Sequence, residues 1–213
     1  MSSTRERILD LAREQIEQRD GEPLNMSALA SEVGISRQAL YLHFADRASL
    51  MLALVERVDD QEDITAWLGH VWTAPDGVTK LRRVFEMQAG RNPRIAGVVR
   101  SLDHARRTDP ASEEAWRDRM NRRLGGMTAI AESLIADGHV DPSWSLEEAA
   151  LLIWQMASFH AWDDLVTDRG IPPERYIELM LHTTLTALAT ARAPERKAPA
   201  VAPSLASRRT PQP

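Results

Sequence analysis

Apolar positions along this chain recur every three or four residues, with charged and polar positions filling the turns between them. Ile8, Leu9, Ala12 and Ile16 share one face of a first helix, which Ser3 and Glu6 open as a capping box and which runs to about Arg19. Leu29 and Val33, four apart, mark a short helix at 26–33, and Leu40 and Phe44 mark another at 37–43. Asp46 caps a longer fourth helix that reaches into the 60s. The same spacing predicts helices over 77–90, 94–106, 112–137, 145–168 and 173–192, with prolines lying between them or at their first residue. No segment keeps the period of two that a half-buried strand needs. The predicted fold is therefore all-α, with about nine helices and no sheet.

From Pro194 onward, five prolines among alanines and serines leave too little apolar surface to order the chain, so a disordered tail is expected over 194–213. The remainder is expected to divide into an N-terminal domain over 1–46 and a helical domain over 47–193. A length of 213 residues suffices for either one core or two. With 43% apolar and 27% charged residues, the composition is that of a soluble globular protein. No apolar run is long enough for a membrane span, and the start "MSSTRERILD" lacks the apolar stretch of a signal peptide, so a cytoplasmic location is expected. The absence of cysteine removes disulfides, thiolate metal sites and cysteine nucleophiles.

The stretch "MSALASEVGISRQALYLHF", residues 26–44, changes the picture. Two helices that cross through a tight turn need a small residue where they approach, a residue that accepts positive φ at the turn, and a cap for the second helix. Ala30, Gly34 and Ser36 supply these in order, Ile35 plugs the corner, and Asn25 caps the first helix. With Leu40 and Phe44 turned inward, the second helix presents Arg37, Gln38, Tyr41 and His43 outward, with Ala39 at its front. Arg pairs with a guanine edge and Gln with an adenine edge, and an alanine methyl meets a thymine methyl. Ser36, Tyr41 and His43 suit phosphate oxygens. A helix of this size, roughly 12 Å long, matches the width of the DNA major groove. The formal charge of −5 argues against nucleic acid only in bulk, because the face that meets DNA is what steers it.

At this point "TRERILDLA" and "LNMSALASEVGISRQALYLHFADRASLMLALV", about residues 4–55, resemble the DNA-binding domain of TetR-family transcriptional regulators. The resemblance implies that helices two and three form a helix-turn-helix and that the rest is an all-α ligand-binding and dimerisation domain. It places Arg37, Gln38 and Ala39 at bases, and Tyr41, His43, Arg47 and Ser27 at phosphates. Asn25, Arg47 and Ile16 stand where the family usually has Thr, Lys and often an aromatic, and each keeps the physical role of cap, cation or core filler.

Beyond residue 60 lie all six tryptophans and most methionines. Each of these is individually a core candidate, but the resemblance implies that Phe85, Met87, Trp116, Met120, Trp154 and Phe159 together border a ligand pocket, which large apolar and methionine side chains suit. The segments 145–168 and 173–192 are apolar on nearly all sides, which calls for cover on nearly all sides. Ile153, Met156, Tyr176, Ile177, Met180, Leu181, Leu185 and Leu188 are accordingly expected at a homodimer interface, a four-helix bundle made by two copies. Residues 80–124 carry a net +6 and residues 125–178 a net −8. Arg82, Arg83, Arg106, Arg107, Arg122 and Arg123 are read as pairing with that acidic stretch or facing water. The alternative is an electropositive pocket wall for an anion such as a carboxylate. His160 with Asp163 and Asp164 allows a metal or acid/base site, but the other histidines show no ligand spacing and there is no phosphate-cradling glycine loop.

Together these readings predict a non-enzymatic regulator without metal or cofactor. It binds a pseudo-palindromic operator as a homodimer and is released by a small-molecule effector. An activator or a ligand-independent regulator is the alternative, and a helical enzyme or adaptor with an incidental helix-turn-helix is more remote.

Overall fold

The computed structural model describes residues 3–18 and 24–191, and these form ten α-helices, one π-helical segment and no strand. Arg19, expected to end the first helix, and the expected tail over 194–213 lie outside the described residues. The first four helices are α1 (Thr4–Gln18), α2 (Met26–Val33), α3 (Arg37–His43) and α4 (Arg47–Gln61). Their caps explain where they start. Ser3 and Glu6 exchange side-chain and backbone bonds at α1, Asn25 accepts from Ser27 and Ala28 at α2, and Asp46 and Ser49 close a capping box at α4.

The second part begins with α5 (Ile64–Trp72), which the sequence reading ran into the fourth helix. Asp63, held at φ 45°, breaks the two apart and caps α5 by accepting from the Ala66 N–H. Next comes α6 (Gly77–Ala105), which is continuous through Pro93 where two helices were expected. A proline inside a helix removes one ladder bond and crowds the preceding turn. Here both halves are anchored, Val84 and Phe85 in one apolar cluster and Ile95, Val98 and Leu102 in another. Stopping at Pro93 would forfeit one of these contacts.

After α7 (Pro110–Ala136), the expected helix over 145–168 is broken into α8 (Leu146–Met156), α9 (Phe159–Trp162) and the π-helical segment Asp163–Asp168. Ala157 ends α8, and Ser158 caps α9 by accepting from the Ala161 N–H. The chain closes with α10 (Pro173–Ala189).

Two apolar clusters organise these elements. The first joins α1–α4 to the later half of α6, with Leu29, Leu40, Leu50, Met51 and Leu54 wholly buried. Each such leucine stabilises the fold by roughly 1.5–3 kcal/mol relative to an exposed one. This cluster crosses the expected boundary at 46/47, because the apolar face of α4 belongs to it. The second cluster joins the early half of α6 to α7, α8 and α10 around Phe85, Ile130, Leu134, Ile153 and Tyr176. Thus α6 is the shared spine.

Candidate nucleic-acid interface and ligand cavity

Backbone bonds at the corner set the outward face of α3. Gly34 takes φ 80°, and the Gly34 and Ile35 N–H groups both donate to the Ala30 carbonyl, which closes α2 in a left-handed turn. The Ser36 hydroxyl then accepts from the Ala39 N–H over 3.0 Å and starts α3. Leu40 and Phe44 point into the first cluster, so Arg37, Gln38 and His43 stand exposed while Ala39 and Tyr41 are half-buried. Arg37 donates to the Tyr41 hydroxyl one turn on and stacks 5.6 Å from its ring centre, which stiffens two long side chains on this face. Ser27 and Ser36 are exposed. Arg47 is half-buried, with its Nε and one terminal nitrogen enclosed and without a partner among the described residues.

Leu42 was not singled out from the sequence. It is 84% exposed, one turn beyond Gln38 on the outermost line of α3. Its place opposite buried Leu40 was the available signal, and an apolar group there suits a thymine methyl. Acids of α1 and α2 are engaged within the chain: Glu32 accepts from Gln15, Asp10 pairs with Arg57 at 2.7 Å, and Glu17 pairs with Arg13 at 2.6 Å.

Behind the helix-turn-helix, α4, α5, α6, α7 and the α8–α9 junction enclose a cavity of about 810 Å³. Met87, Trp116, Met120, Trp154 and Phe159 line it, but Phe85 does not. Phe85 is wholly buried in the second cluster, where its ring meets that of Tyr176 edge-on at 6.2 Å. Five of the eight residues expected at a dimer interface are covered within the chain itself. Ile153, Tyr176, Met180, Leu181 and Leu188 are buried inside the chain's own core. Packing of α8 on α7 and of α10 on α6 supplies the cover that was assigned to a second copy. Met156, Ile177 and Leu185 are half-buried, and Leu151, at 45% exposure, lies on the outer side of α8.

The arginines divide between the two expectations: Arg82 pairs with the acidic stretch and Arg107 and Arg122 are exposed, while Arg106, Arg122 and Arg123 border the cavity. Arg82 pairs with Glu178 in the acidic stretch, while Arg106, Arg107 and Arg122 find acids within their own segment. Arg83 donates to the His70 carbonyl. Two arginines outside that set, Arg91 and Arg119, share Asp59 on the cavity wall. Burial lowers the Arg91 pKa despite that partner. Arg123 donates to the Trp154 carbonyl over 2.6 Å, and its guanidinium lies 4.3 Å from the Trp154 ring centre. Burial, aided by Arg119, pushes its pKa down to about 10. His160 is 3.5 Å from Asp103, and Asp163 is bound by Arg100. Among the described residues no cluster of three metal-ligating side chains occurs, and no helix is long and apolar enough to cross a membrane.

A helix-turn-helix whose second helix stands free is thus set ahead of a helical body that carries a cavity. Residues 8–54 match the family model described as bacterial regulatory proteins, tetR family. The match makes the N-terminal region similar to the DNA-binding part of TetR-family regulators. The chain is similar to the nucleoid occlusion factor SlmA of Vibrio cholerae, 29% identical over 121 residues, covering 55% of this chain and 59% of that protein. SlmA of Shewanella amazonensis is 38% identical over 58 residues, 27% of this chain and 29% of that protein. The chain thus spans less than two thirds of the length of these curated relatives. In fold it is similar to a transcriptional regulator from Rhodococcus sp. RHA1, with TM-score 0.67 and 20% identity over 87% of this chain and 96% of that one. A protein from Saccharomonospora viridis solved in complex with choline gives TM-score 0.64 and 20% identity over 83% and 92%.

Proposed function

We propose that the chain regulates transcription as a homodimer whose two α3 helices read a pseudo-palindromic operator, and that a small molecule in the cavity releases it. The observation that carries this reading is the pairing of buried Leu40 with exposed Arg37 and Gln38 on one short helix. Arg37, Gln38, Ala39 and Leu42 meet base edges, while Ser27, Ser36, Tyr41, His43 and Arg47 hold phosphates.

The coupling runs through α4. Its first turns pack Leu50 and Leu54 into the helix-turn-helix core, and its last turns place Val55, Val58 and Asp59 on the cavity wall. At the end of α4, Arg13 of α1 donates to Gln61 and to the Arg94 carbonyl, so α1, α4 and α6 meet at one polar knot. A ligand that prefers another setting of α4 changes the spacing of two α3 helices, and operator DNA must weaken that ligand by the same factor. The choline complex of the Saccharomonospora viridis protein supports a small-molecule site in this fold.

The test is anisotropy of a labelled duplex from upstream of the chain's own gene, at a series of salt concentrations. Two protomers per duplex and an affinity that falls steeply with salt are expected. Weak binding that ignores both sequence and the Arg37→Ala change would contradict the reading. The SlmA relatives favour a second reading, DNA binding in the service of nucleoid occlusion. Normal placement of division in a strain lacking the gene would remove it.

A further inference from the structure

We infer that the cavity takes an amphipathic anion, a carboxylate on an apolar or aromatic body, with Arg123 as its counter-charge. This rests on the reading of the cavity as the ligand site. Three observations lead to it.

The first is the balance of charge on the wall. Five arginines line the cavity, at 91, 106, 119, 122 and 123, against one carboxylate, Asp59. Arg106 is committed to Asp103 and Glu113, and Arg122 to Asp118. Asp59 serves both Arg91 and Arg119, so one carboxylate answers two cations. No carboxylate of the described residues pairs with Arg123, whose polar contact is the Trp154 carbonyl. A buried guanidinium without a counter-charge is unfavourable by itself and becomes favourable when an anion meets it.

The second is the sign of the unmet hydrogen bonds. Arg91 Nε, Asn92 Nδ2, Arg123 Nε and Trp154 Nε1 belong to lining residues, are buried, and have no partner among the described residues. All four are donors. Enclosed just behind the wall with their N–H dipoles unanswered, they leave this side of the cavity electropositive, which favours an anion over a neutral or cationic ligand.

The third concerns the aromatic faces. A quaternary ammonium would need open indole faces or a free carboxylate. Of the three tryptophans on the wall, Arg123 already covers Trp154 at 4.3 Å and Arg106 covers Trp116 at 4.9 Å, which leaves Trp72 at the outer, 41% exposed side. Met87, Met120 and Phe159 remain for the apolar body of the ligand. An anion seated by Arg123 also reaches the Arg119–Asp59 pair and competes with Asp59, which loosens the hold on α4.

The experiment follows tryptophan fluorescence of the full chain during titration with decanoate, 1-decanol and decyltrimethylammonium. A second set carries the same three head groups on a naphthylmethyl body. In at least one set the carboxylate should bind ten times more tightly than its neutral and cationic counterparts. Arg123→Met should cut carboxylate affinity at least tenfold, leave the alcohol unchanged and hold or raise the melting temperature without ligand. A side chain with a merely structural role would lower stability and all affinities together. Arg123→Lys should retain part of the preference. Equal binding of all three head groups by the unaltered chain would overturn the anion assignment while leaving the cavity a ligand site. Failure of every probe to bind would instead remove the ligand-site reading, and the inference with it. Should Arg123→Met not fold, the comparison of head groups on the unaltered chain decides alone.

Discussion

The Tyr176 hydroxyl donates to Gln88 Oε1 over 2.9 Å, and Gln88 in turn donates through Nε2 to the Ala157 carbonyl. This buried relay ties α10 to α6 and to the residue that ends α8. Both Gln88 and Ala157 border the cavity. Burial raises the pKa of the Tyr176 hydroxyl well above the usual tyrosine range, so it stays protonated and able to donate. Tyr176→Phe removes the donor and strands a buried acceptor. It should cost about 1–3 kcal/mol in a chemical denaturation series, with operator affinity intact.

Two glycines separate backbone strain from crowding. A Cβ on Gly34 would meet nothing within 4 Å, so Gly34→Ala pays only for its φ of 80°, about 1 kcal/mol. A Cβ on Gly77 would come 2.7 Å from the Leu134 nitrogen and 2.9 Å from the Ser133 carbonyl carbon. Gly77→Ala must therefore push α6 from α7 and should destabilise by about 1–3 kcal/mol. A Gly77→Ala variant that melts with the unaltered chain would argue against this packing.

Asp59 neutralises two guanidiniums, so Asp59→Asn leaves both short of negative charge. Removing one partner of a fully buried pair costs about 3–5 kcal/mol, and the low end is expected here. The reason is that the Asp59 side chain is 24% exposed. Decanoate should restore more melting temperature to this variant than to the unaltered chain. A smaller restoration would contradict competition between ligand and Asp59.

Much of the N-terminal region could be read from residue types alone. Asn25, Gly34, Ser36 and Asp46 each solve a local problem of helix ends, and local problems leave local signatures. The cavity residues Met87, Trp116, Met120, Trp154 and Phe159 stood out as bulky side chains at helical spacing. Phe85 has the same appearance, yet its neighbour Tyr176 comes from far along the chain and draws it into the core. The breadth of the apolar surface on α8 and α10 was misassigned for a similar reason. Periodicity shows how much of a helix is covered, but not whether the cover comes from the same chain. Pro93 and Ala157 were misjudged in opposite directions, since tertiary anchoring carried α6 through a proline while a cap at Ser158 ended a run that had no proline.

Acid should weaken the fold through carboxylates held below their ordinary range, among them Asp76, Asp141 and Glu178. Asp76 is lowered by the backbone and hydroxyl of Thr79, Asp141 by Ser143, and Glu178 by Arg82. Their stabilising bonds need the ionised form. The contribution is therefore present above the unfolded carboxylate value, about pH 4, and is lost as pH falls through the lower folded values. Glu178 is exposed and Asp76 and Asp141 are half-buried, and with all three ionised at neutral pH the melting temperature should hold down to about pH 5 and then decline. The double change Asp76→Asn with Glu178→Gln should make that decline shallower, and an unchanged profile would count against these assignments.

The central claim is that α3 reads bases from a twofold pair of subunits. Selection of bound duplexes from a random DNA pool by the purified full chain measures this most directly. Enrichment of an inverted repeat is expected, with half-site centres one helical turn, about 34–36 Å, or a multiple apart. The enrichment should disappear when Arg37 and Gln38 are both changed to alanine. An asymmetric or featureless output, or an inverted repeat that survives that double change, would contradict the account.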